Sequence, residues 1–201
     1  MTLLVVVTRG NEPPRITELC ALDLFSSDKF YSTYIDPKRA IHPDASKMTM
    51  LMYDKIAGLR FGEGTKSVKV PAVPFKQAIC KFLHWLGNDT AILVAHSGIK
   101  FDFPVLCAAL SGTGQLQEFT RKVVGFVDTM PLLKDMLPND SYGFHKLNNL
   151  VEVVLKTTTK GHSAYFDVLN LQLIVLLFTR GKTHILPKPL SSASFPWRDY
   201  L

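Results

Sequence analysis

The order of the apolar segments along the chain constrains the fold more than any other feature. Residues 3–7 form an unbroken apolar run, which is typical of a strand buried on both faces of a sheet. Residues 16–25 and 29–36 have the composition of two further strands, and the short segment 26–28 between them predicts an antiparallel hairpin. Three antiparallel strands are therefore expected at the start of the chain.

The remainder of the chain alternates between helical and strand patterns. Residues 91–95 and 123–127 predict two more strands, and Pro104 suits the first turn of a helix. The apolar spacing predicts helices over residues 45–57, 75–86, 102–110, 130–137, 144–156 and 163–180. Residues 58–74 are expected to be a glycine-rich loop. This alternation predicts an α/β fold, in which helices cover a central sheet.

The length and composition indicate one folded domain without a membrane span. The chain has 201 residues, of which 47% are hydrophobic, and we expect a domain over 1–180 followed by a proline- and serine-rich tail over 181–201. The net charge of +6 fits a nucleic-acid partner and fits equally well a mildly basic protein without one. Three cysteines without pairing or zinc spacing predict a reducing, intracellular location, nuclear or cytoplasmic. The longest apolar stretch is too short to cross a bilayer.

Two aspartates and a histidine are candidates for a metal-dependent site. Asp102 follows a predicted strand, at the edge of the sheet where α/β proteins bind ligands, although it could also be a helix N-cap. Asp167 faces the apolar side of the last helix, so it requires either a metal or a basic partner. His162 precedes that helix and could accept a proton, or it could be an ordinary loop residue. Asp128 is interpreted as a capping residue, and Glu18 and Asp23 as structural or solvent-facing.

Taken together, these segments resemble the DEDDh class of 3′–5′ exonucleases, and within it the three-prime repair exonucleases. The resemblance runs in order from about residue 3 to 178, through the segments ITELCALDL, ASKMTML, AHSGIKFD, FVDTMPLLK, KLNNL and HSAYFD. It implies a ribonuclease H-like exonuclease fold with a mixed central sheet and helices on both faces. It also implies that Asp102 and Asp167 are metal ligands and His162 the general base. By the same resemblance the chain could form a homodimer.

The chain departs from this class at its first acidic motif. Aligning Gly10 with the glycine of the family pattern places Val5 and Val7 where the class has Asp and Glu, and Arg9 where it has threonine. Two divalent ions need several hard oxygen ligands, and only two of the four expected carboxylates remain. We therefore expect no cofactor, although the sequence leaves room for one weakly held Mg²⁺ or Mn²⁺.

Three functions follow as hypotheses. The first is a catalytically inactive pseudo-exonuclease that binds nucleic acid or a protein partner. For this function Arg9, Arg60, Lys66 and Lys69 are the candidate phosphate contacts, although the last three could equally belong to an ordinary solvated loop. The second is an active metal-dependent 3′–5′ exonuclease, acting on single-stranded DNA or RNA with altered ligands. The third is a protein-interaction module without a nucleic-acid role.

Overall fold

Ten strands and seven α-helices make up the described part of the chain. The structure is a computed structural model that describes residues 2–7, 15–136, 146–158, 163–179 and 194–195. The strands are β1 (Thr2–Val7), β2 (Ile16–Asp23), β3 (Ser26–Ile35), β4 (Leu51–Asp54), β5 (Gly58–Phe61), β6 (Val68–Lys69), β7 (Ala72–Val73), β8 (Ala91–Ala95), β9 (Val123–Asp128) and β10 (Ser194–Phe195). The helices are α1 (Pro43–Thr49), α2 (Phe75–Trp85), α3 (Asp102–Ser111), α4 (Leu116–Lys122), α5 (Thr129–Met136), α6 (Leu147–Leu150) and α7 (Ala164–Thr179).

The central sheet has seven strands in the order β10-β9-β8-β1-β2-β3-β7. β1, β2 and β3 pair antiparallel, as the apolar runs predicted, whereas β1, β8 and β9 run parallel to one another. β10 pairs antiparallel with β9, and β7 pairs parallel with β3. The sheet is therefore mixed, and the carboxyl ends of β1, β8 and β9 lie along one edge.

Helices cover both faces of this sheet, which confirms the predicted architecture. The largest buried cluster joins one face to α2, α3 and α4, and it contains Phe82, Phe103, Phe119 and Phe126. On the other face, α7 packs against β2 through Ala164 and Val168. No helix among the described residues has the length and apolarity that a membrane span requires. Cys20, Cys80 and Cys107 are all free thiols, as their spacing predicted.

Residues 51–69 form a second, three-stranded sheet, where the sequence predicted the end of a helix and a loop. The helix predicted over 45–57 ends at Thr49, because Met50 adopts a left-handed backbone conformation (φ 58°) and Leu51 begins a strand. Asp54 then closes a tight turn by accepting hydrogen bonds from the backbone N–H groups of Ile56 and Ala57. The prediction was wrong because helical spacing in a short apolar segment does not exclude a strand.

Other segments differ from the prediction at their boundaries. The β2–β3 turn lies at Leu24 and Phe25 rather than at 26–28, and α4 was not predicted. Residues 151–155 continue α6 as a π-helical segment within the predicted 144–156. Strand β10 lies in the predicted tail, and the division of the chain at residue 180 stays a prediction. Near the sheet edge opposite to the carboxyl ends of the parallel strands, buried Lys122 donates hydrogen bonds to the carbonyl groups of Leu83 and Gly87.

Candidate functional site

The carboxyl ends of the parallel strands bring several candidate residues to one edge of the sheet. β1 and β8 both end there, and β2 begins there because Val7 pairs with Ile16. The chain leaves β8 at Ala95 and passes through residues 96–101 into α3. Open α/β sheets bind ligands at this edge. The position agrees with the one predicted for Asp102.

Asp102 is the first residue of α3, and its side chain is buried, with 4% of its surface exposed. The N-cap position belongs to Phe101, which makes no capping hydrogen bond through its side chain. The alternative interpretation of Asp102 as an N-cap residue is therefore not supported. Its carboxylate lies in the first helical turn, where the partial positive charge of the helix N-terminus favours an anion.

The loop between β8 and α3 is held by Asp128. Oδ1 of Asp128 accepts hydrogen bonds from the backbone N–H groups of Ser97 and Met130, both at 2.9 Å, and Oδ2 accepts one from Ile99 at 3.2 Å. Next to it, Nδ1 of His96 lies 3.0 Å from Oγ1 of Thr129. The predicted capping role of Asp128 is confirmed by the bond to Met130. In addition, this carboxylate stabilises the loop that leads to Asp102.

We expect Asp128→Asn to destabilise the protein by about 2 kcal/mol, because a buried charged acceptor with three N–H donors becomes an amide. The NH₂ group of the asparagine amide cannot accept a hydrogen bond, so either the bond from Ile99 or the two bonds from Ser97 and Met130 are lost. The free energy of unfolding in urea measures the effect. Asp54→Asn is the matched control, since Asp54 also accepts two backbone N–H bonds but in an exposed turn. Equal losses in the two variants would contradict this role for Asp128.

Asp167 is on α7, which packs against β1 and β2, and its charge acts on Glu18 of β2. It is half-buried, and burial raises the pKa of its carboxyl group to about 6. Among the described residues, no basic side chain forms an ion pair with it. The alternative of a basic partner is therefore not supported within that part of the chain.

Glu18 is a further candidate for the site, which the sequence interpretation took as structural or solvent-facing. Its side chain is on β2 with 4% of its surface exposed, and Oε2 accepts a hydrogen bond of 3.2 Å from the backbone N–H of Ala164 in the first turn of α7. Burial raises the pKa of Glu18 to about 7, the bond from Ala164 opposes this, and the negative charge of Asp167 adds to it. The solvent-facing interpretation of Glu18 was wrong. Its position inside an apolar strand was the available signal. Asp23, by contrast, caps the hairpin turn at Phe25, in agreement with a structural role.

The register of β1 relates the valine strand to Glu18. Val6 pairs with Glu18, whereas Val5 pairs with Leu19 and Val7 with Ile16 across an irregularity between Val6 and Val7. Directly paired residues of antiparallel strands occupy the same face of the sheet. The β1 position on the face of Glu18 is thus that of Val6. The assignment of Val5 and Val7 as the lost ligand positions stays a prediction.

The other predicted site residues lie either in the region of the second sheet or outside the described residues. His162 and Arg9 lie outside the described residues. Arg60 and Lys69 are paired neighbours in the second sheet, and Lys66 is exposed beside them. The guanidinium group of Arg60 donates to Ser67, with Nε 2.9 Å from Oγ and Nη2 bonded to the backbone oxygen. Arg60 therefore stabilises the β5–β6 connection, and any phosphate contact it makes is additional to that role.

The donor set does not fit the pair of divalent ions that the fold family implies. Across the described ranges, no group of three or more His, Cys, Asp or Glu side chains is arranged to hold a metal ion. β1 contributes only threonine, leucine and valine at the centre of the sheet. Carboxylate oxygens are the ligands such ions require, and within the described residues Asp102, Asp167 and Glu18 do not form a metal-binding group.

The mixed sheet with helices on both faces is the architecture expected of a ribonuclease H-like exonuclease. The chain belongs to the exonuclease family, whose model matches residues 1–175. No curated protein is similar enough to count as a match.

Solved structures support the same assignment. The chain is similar to the nuclease domain of 3′hExo, a DEDDh family member bound to rAMP, with a TM-score of 0.66, 12% identity and coverage of 90% of this chain and 91% of that one. It is also similar to a full-length 3′-exonuclease (TM-score 0.63, 13% identity, 89% of this chain and 59% of that one). A third similar structure shows the 3′-end specific recognition of a histone mRNA stem-loop by a 3′-exonuclease (TM-score 0.61, 12% identity, 90% and 81%). These matches confirm the predicted ribonuclease H-like exonuclease fold and the DEDDh resemblance. The branch within the class stays a prediction.

Proposed function

We propose that this protein is a pseudo-exonuclease that binds nucleic acid without hydrolysing it. The observation that carries the proposal is the composition of β1, which has no carboxylate in Thr2–Val7. Two-metal hydrolysis places two divalent ions about 4 Å apart, and together they carry four positive charges. Asp102 and Asp167 supply two negative charges at most. With these ligands a single weakly held Mg²⁺ or Mn²⁺ is the most that we expect.

Nucleic acid is the favoured partner because of charge and of the similar proteins. The chain carries a net charge of +6, and Lys66 and Lys69 are exposed on the second sheet. Solved structures of similar fold include one bound to rAMP and one with a histone mRNA stem-loop. Arg9 follows the valine strand in the sequence, and we propose that it contacts a phosphate where the family holds metal. We also propose a nuclear or cytoplasmic location, from the cysteines, and a homodimer, from the family resemblance.

The second candidate is an active exonuclease with altered ligands, and Glu18 favours it. Glu18 is buried on β2, and its pKa responds to the charge of Asp167, so the two carboxylates are close enough to interact. In this function Glu18 would take the place of a missing acid of β1 beside Asp167, and the further ligands would have to come from outside the described residues. His162 would accept the proton of the attacking water.

A nuclease assay distinguishes the two candidates. We expect single-stranded DNA and RNA labelled at the 3′ end to keep their label in Mg²⁺ or Mn²⁺, to the same extent with the native protein and with Asp167→Ala. Release of label by the native protein, absent from Asp167→Ala, would establish the active enzyme. A further loss of that release in Glu18→Gln would identify the replacement ligand.

A binding titration tests the nucleic-acid partner itself. Fluorescence anisotropy of the same oligonucleotides is expected to show binding that weakens as salt rises, because phosphate contacts release counterions. Absence of binding at low salt would instead leave the protein-interaction module as the better hypothesis.

A further inference from the structure

Helix α7 is apolar on its outer side as well as on the side that packs on the sheet. Asp167 is the one charged residue in the helix. Phe166, Leu173 and Leu177 expose 43%, 43% and 45% of their surfaces. Spacings of seven and four residues place them on one stripe along the helix. A helix that is apolar all round is normally buried, and exposed apolar patches mark interaction sites, so this stripe is a candidate contact surface.

The apolar stripe continues onto β3. Phe30 pairs with Leu22, which shares a buried cluster with residues of α7, so Phe30 lies on the face of the sheet that α7 covers. Phe30 is 50% exposed. Its ring centroid is 5.7 Å from that of Tyr165, which in turn is 5.5 Å from that of Phe166. We define the β3–α7 surface as Phe30, Tyr165, Phe166, Leu173 and Leu177.

The β3–α7 surface has room for one more helix. Neighbouring strands are about 4.8 Å apart and packed helices are about 8–10 Å apart, so one helix covers about two strands. α7 packs against β1 and β2. The position beside α7, over β3, is open in the described part of the chain, because Phe30 and Ser32 are both exposed there. A helix placed beside α7 would therefore complete the layer on this face of the sheet.

The chain that follows α7 is tied to the side of the sheet away from β3. Residues 180–193 connect Thr179 to β10, and β10 pairs with β9. In the strand order β10 is five positions from β3, which is about 24 Å across the sheet. Residues 196–201 span at most about 21 Å when extended, so they are too short to cover β3. The helix that fits beside α7 is therefore expected from another molecule.

The β3–α7 surface lacks the charge that a nucleic acid requires. Residues 30–35 of β3 and the whole of α7 contain no Lys or Arg. Lys29 is directed to the opposite face of the sheet, where its Nζ lies 3.7 Å from Oδ2 of Asp89 and 5.8 Å from the ring centroid of Trp85 on α2. Nucleic acids are bound through Lys and Arg contacts to phosphates, so an apolar partner fits this surface better.

The size of the surface fits a single helix rather than a second copy of the chain. α7 has 16 residues, so its outer side is about 24 Å long and about 10 Å wide. This is roughly a third of the area of about 800 Å² that each chain contributes to a stable dimer. A docked helix needs only one such side and the neighbouring face of β3.

We propose that the β3–α7 surface binds an amphipathic helix of a partner protein, which lies beside α7 and over β3. Such a helix presents apolar residues at intervals of three and four, and these contact Phe30, Tyr165 and Leu173. The inference goes beyond the proposed function, because it adds a protein partner on the outer side of α7 and does not depend on nucleic-acid binding.

The test uses a labelled peptide as long as α7, with leucines at positions i, i+4, i+7 and i+11 in a neutral background of alanine, lysine and glutamate. A second peptide has the same composition, with its leucines spread evenly around the helix. Fluorescence anisotropy measures the binding of both to the native protein, to Phe30→Thr/Leu173→Gln and to the matched control Phe61→Thr/Val153→Gln. The control likewise replaces one exposed apolar residue of a strand and one of a helical segment, in β5 and in 151–155. Thermal unfolding confirms that both variants fold.

The native protein is expected to bind the peptide with the leucine stripe at least tenfold more tightly than the peptide with spread leucines. Phe30→Thr/Leu173→Gln should weaken this binding at least tenfold, because it removes two large apolar contacts, and the control should stay within twofold of the native protein. Equal affinity for the two peptides, or equal weakening in the two variants, would overturn the proposal.

Two further measurements exclude other occupants of the surface. The native protein and Phe30→Thr/Leu173→Gln are expected to have the same mass in analytical ultracentrifugation and the same affinity for single-stranded oligonucleotides. A native dimer that dissociates in this variant would assign the surface to a second copy, and oligonucleotide binding that the variant loses would assign it to nucleic acid. If the native protein binds the stripe peptide and no oligonucleotide, the proposed function fails and this inference stands.

Discussion

Glu18→Gln is expected to make the protein more stable at alkaline pH and to flatten the pH dependence of its stability. In the folded protein burial raises the pKa of Glu18 to about 7, above its ordinary value of 4.5. Below the lower value the residue is protonated in both states. As the pH rises from there to the folded pKa, the unfolded chain loses the proton first, so stability falls. Above pH 7 this loss of folding stability is complete and amounts to about 3 kcal/mol.

Glutamine isolates this charge because its amide oxygen can still accept the hydrogen bond from Ala164. The variant and the native protein should have similar pH slopes below pH 4.5, and the variant should gain up to about 3 kcal/mol relative to the native protein by pH 8. The measurement is urea unfolding from pH 4 to 8 in the presence of EDTA. Asp89→Asn is the control, since the side chain of Asp89 is 81% exposed. Parallel stability curves for Glu18→Gln and the native protein would refute a buried, titrating Glu18.

Phe103→Ala is expected to cause the largest loss of stability, about 4 kcal/mol, through the cavity left in the main core. The Phe103 ring is fully buried and stacks on Phe126 with 4.4 Å between ring centroids. It also packs on Gly98, where a Cβ atom would lie 2.5 Å from the ring. Because the ring links the 96–101 loop to the start of α3, its loss should also loosen the position of Asp102.

Thermal unfolding measures this effect, and a decrease of about 10 °C in Tm corresponds to the expected loss. Phe25→Ala is the matched control, because Phe25 is 73% exposed in the β2–β3 turn and its removal should change stability little. A loss below about 2 kcal/mol for Phe103→Ala would mean that the core refills the cavity, as well-packed cores rarely do. The contact between the loop and α3 would then be weaker than the packing indicates.

The spacing of apolar residues predicted the longer helices well. The structure has α2 at Phe75–Trp85 and α7 at Ala164–Thr179, against predictions of 75–86 and 163–180. Both helices carry enough apolar residues at helical spacing for the period to be read from neighbours alone. Residues 45–57 were too short and too ambiguous for that, and they divide between α1 and β4.

For the site, too, some features follow from consecutive residues and others only from contacts between residues far apart in the sequence. The sequence by itself determined the family pattern, the candidate acids Asp102 and Asp167, and the absence of carboxylates from β1, because each is a property of consecutive residues. Only the tertiary structure placed Glu18 against Ala164, which is 146 positions away, and Phe30 of β3 against Tyr165 of α7. The pKa of Glu18 depends on burial and on the charge of Asp167, and both arise only when α7 packs on the sheet.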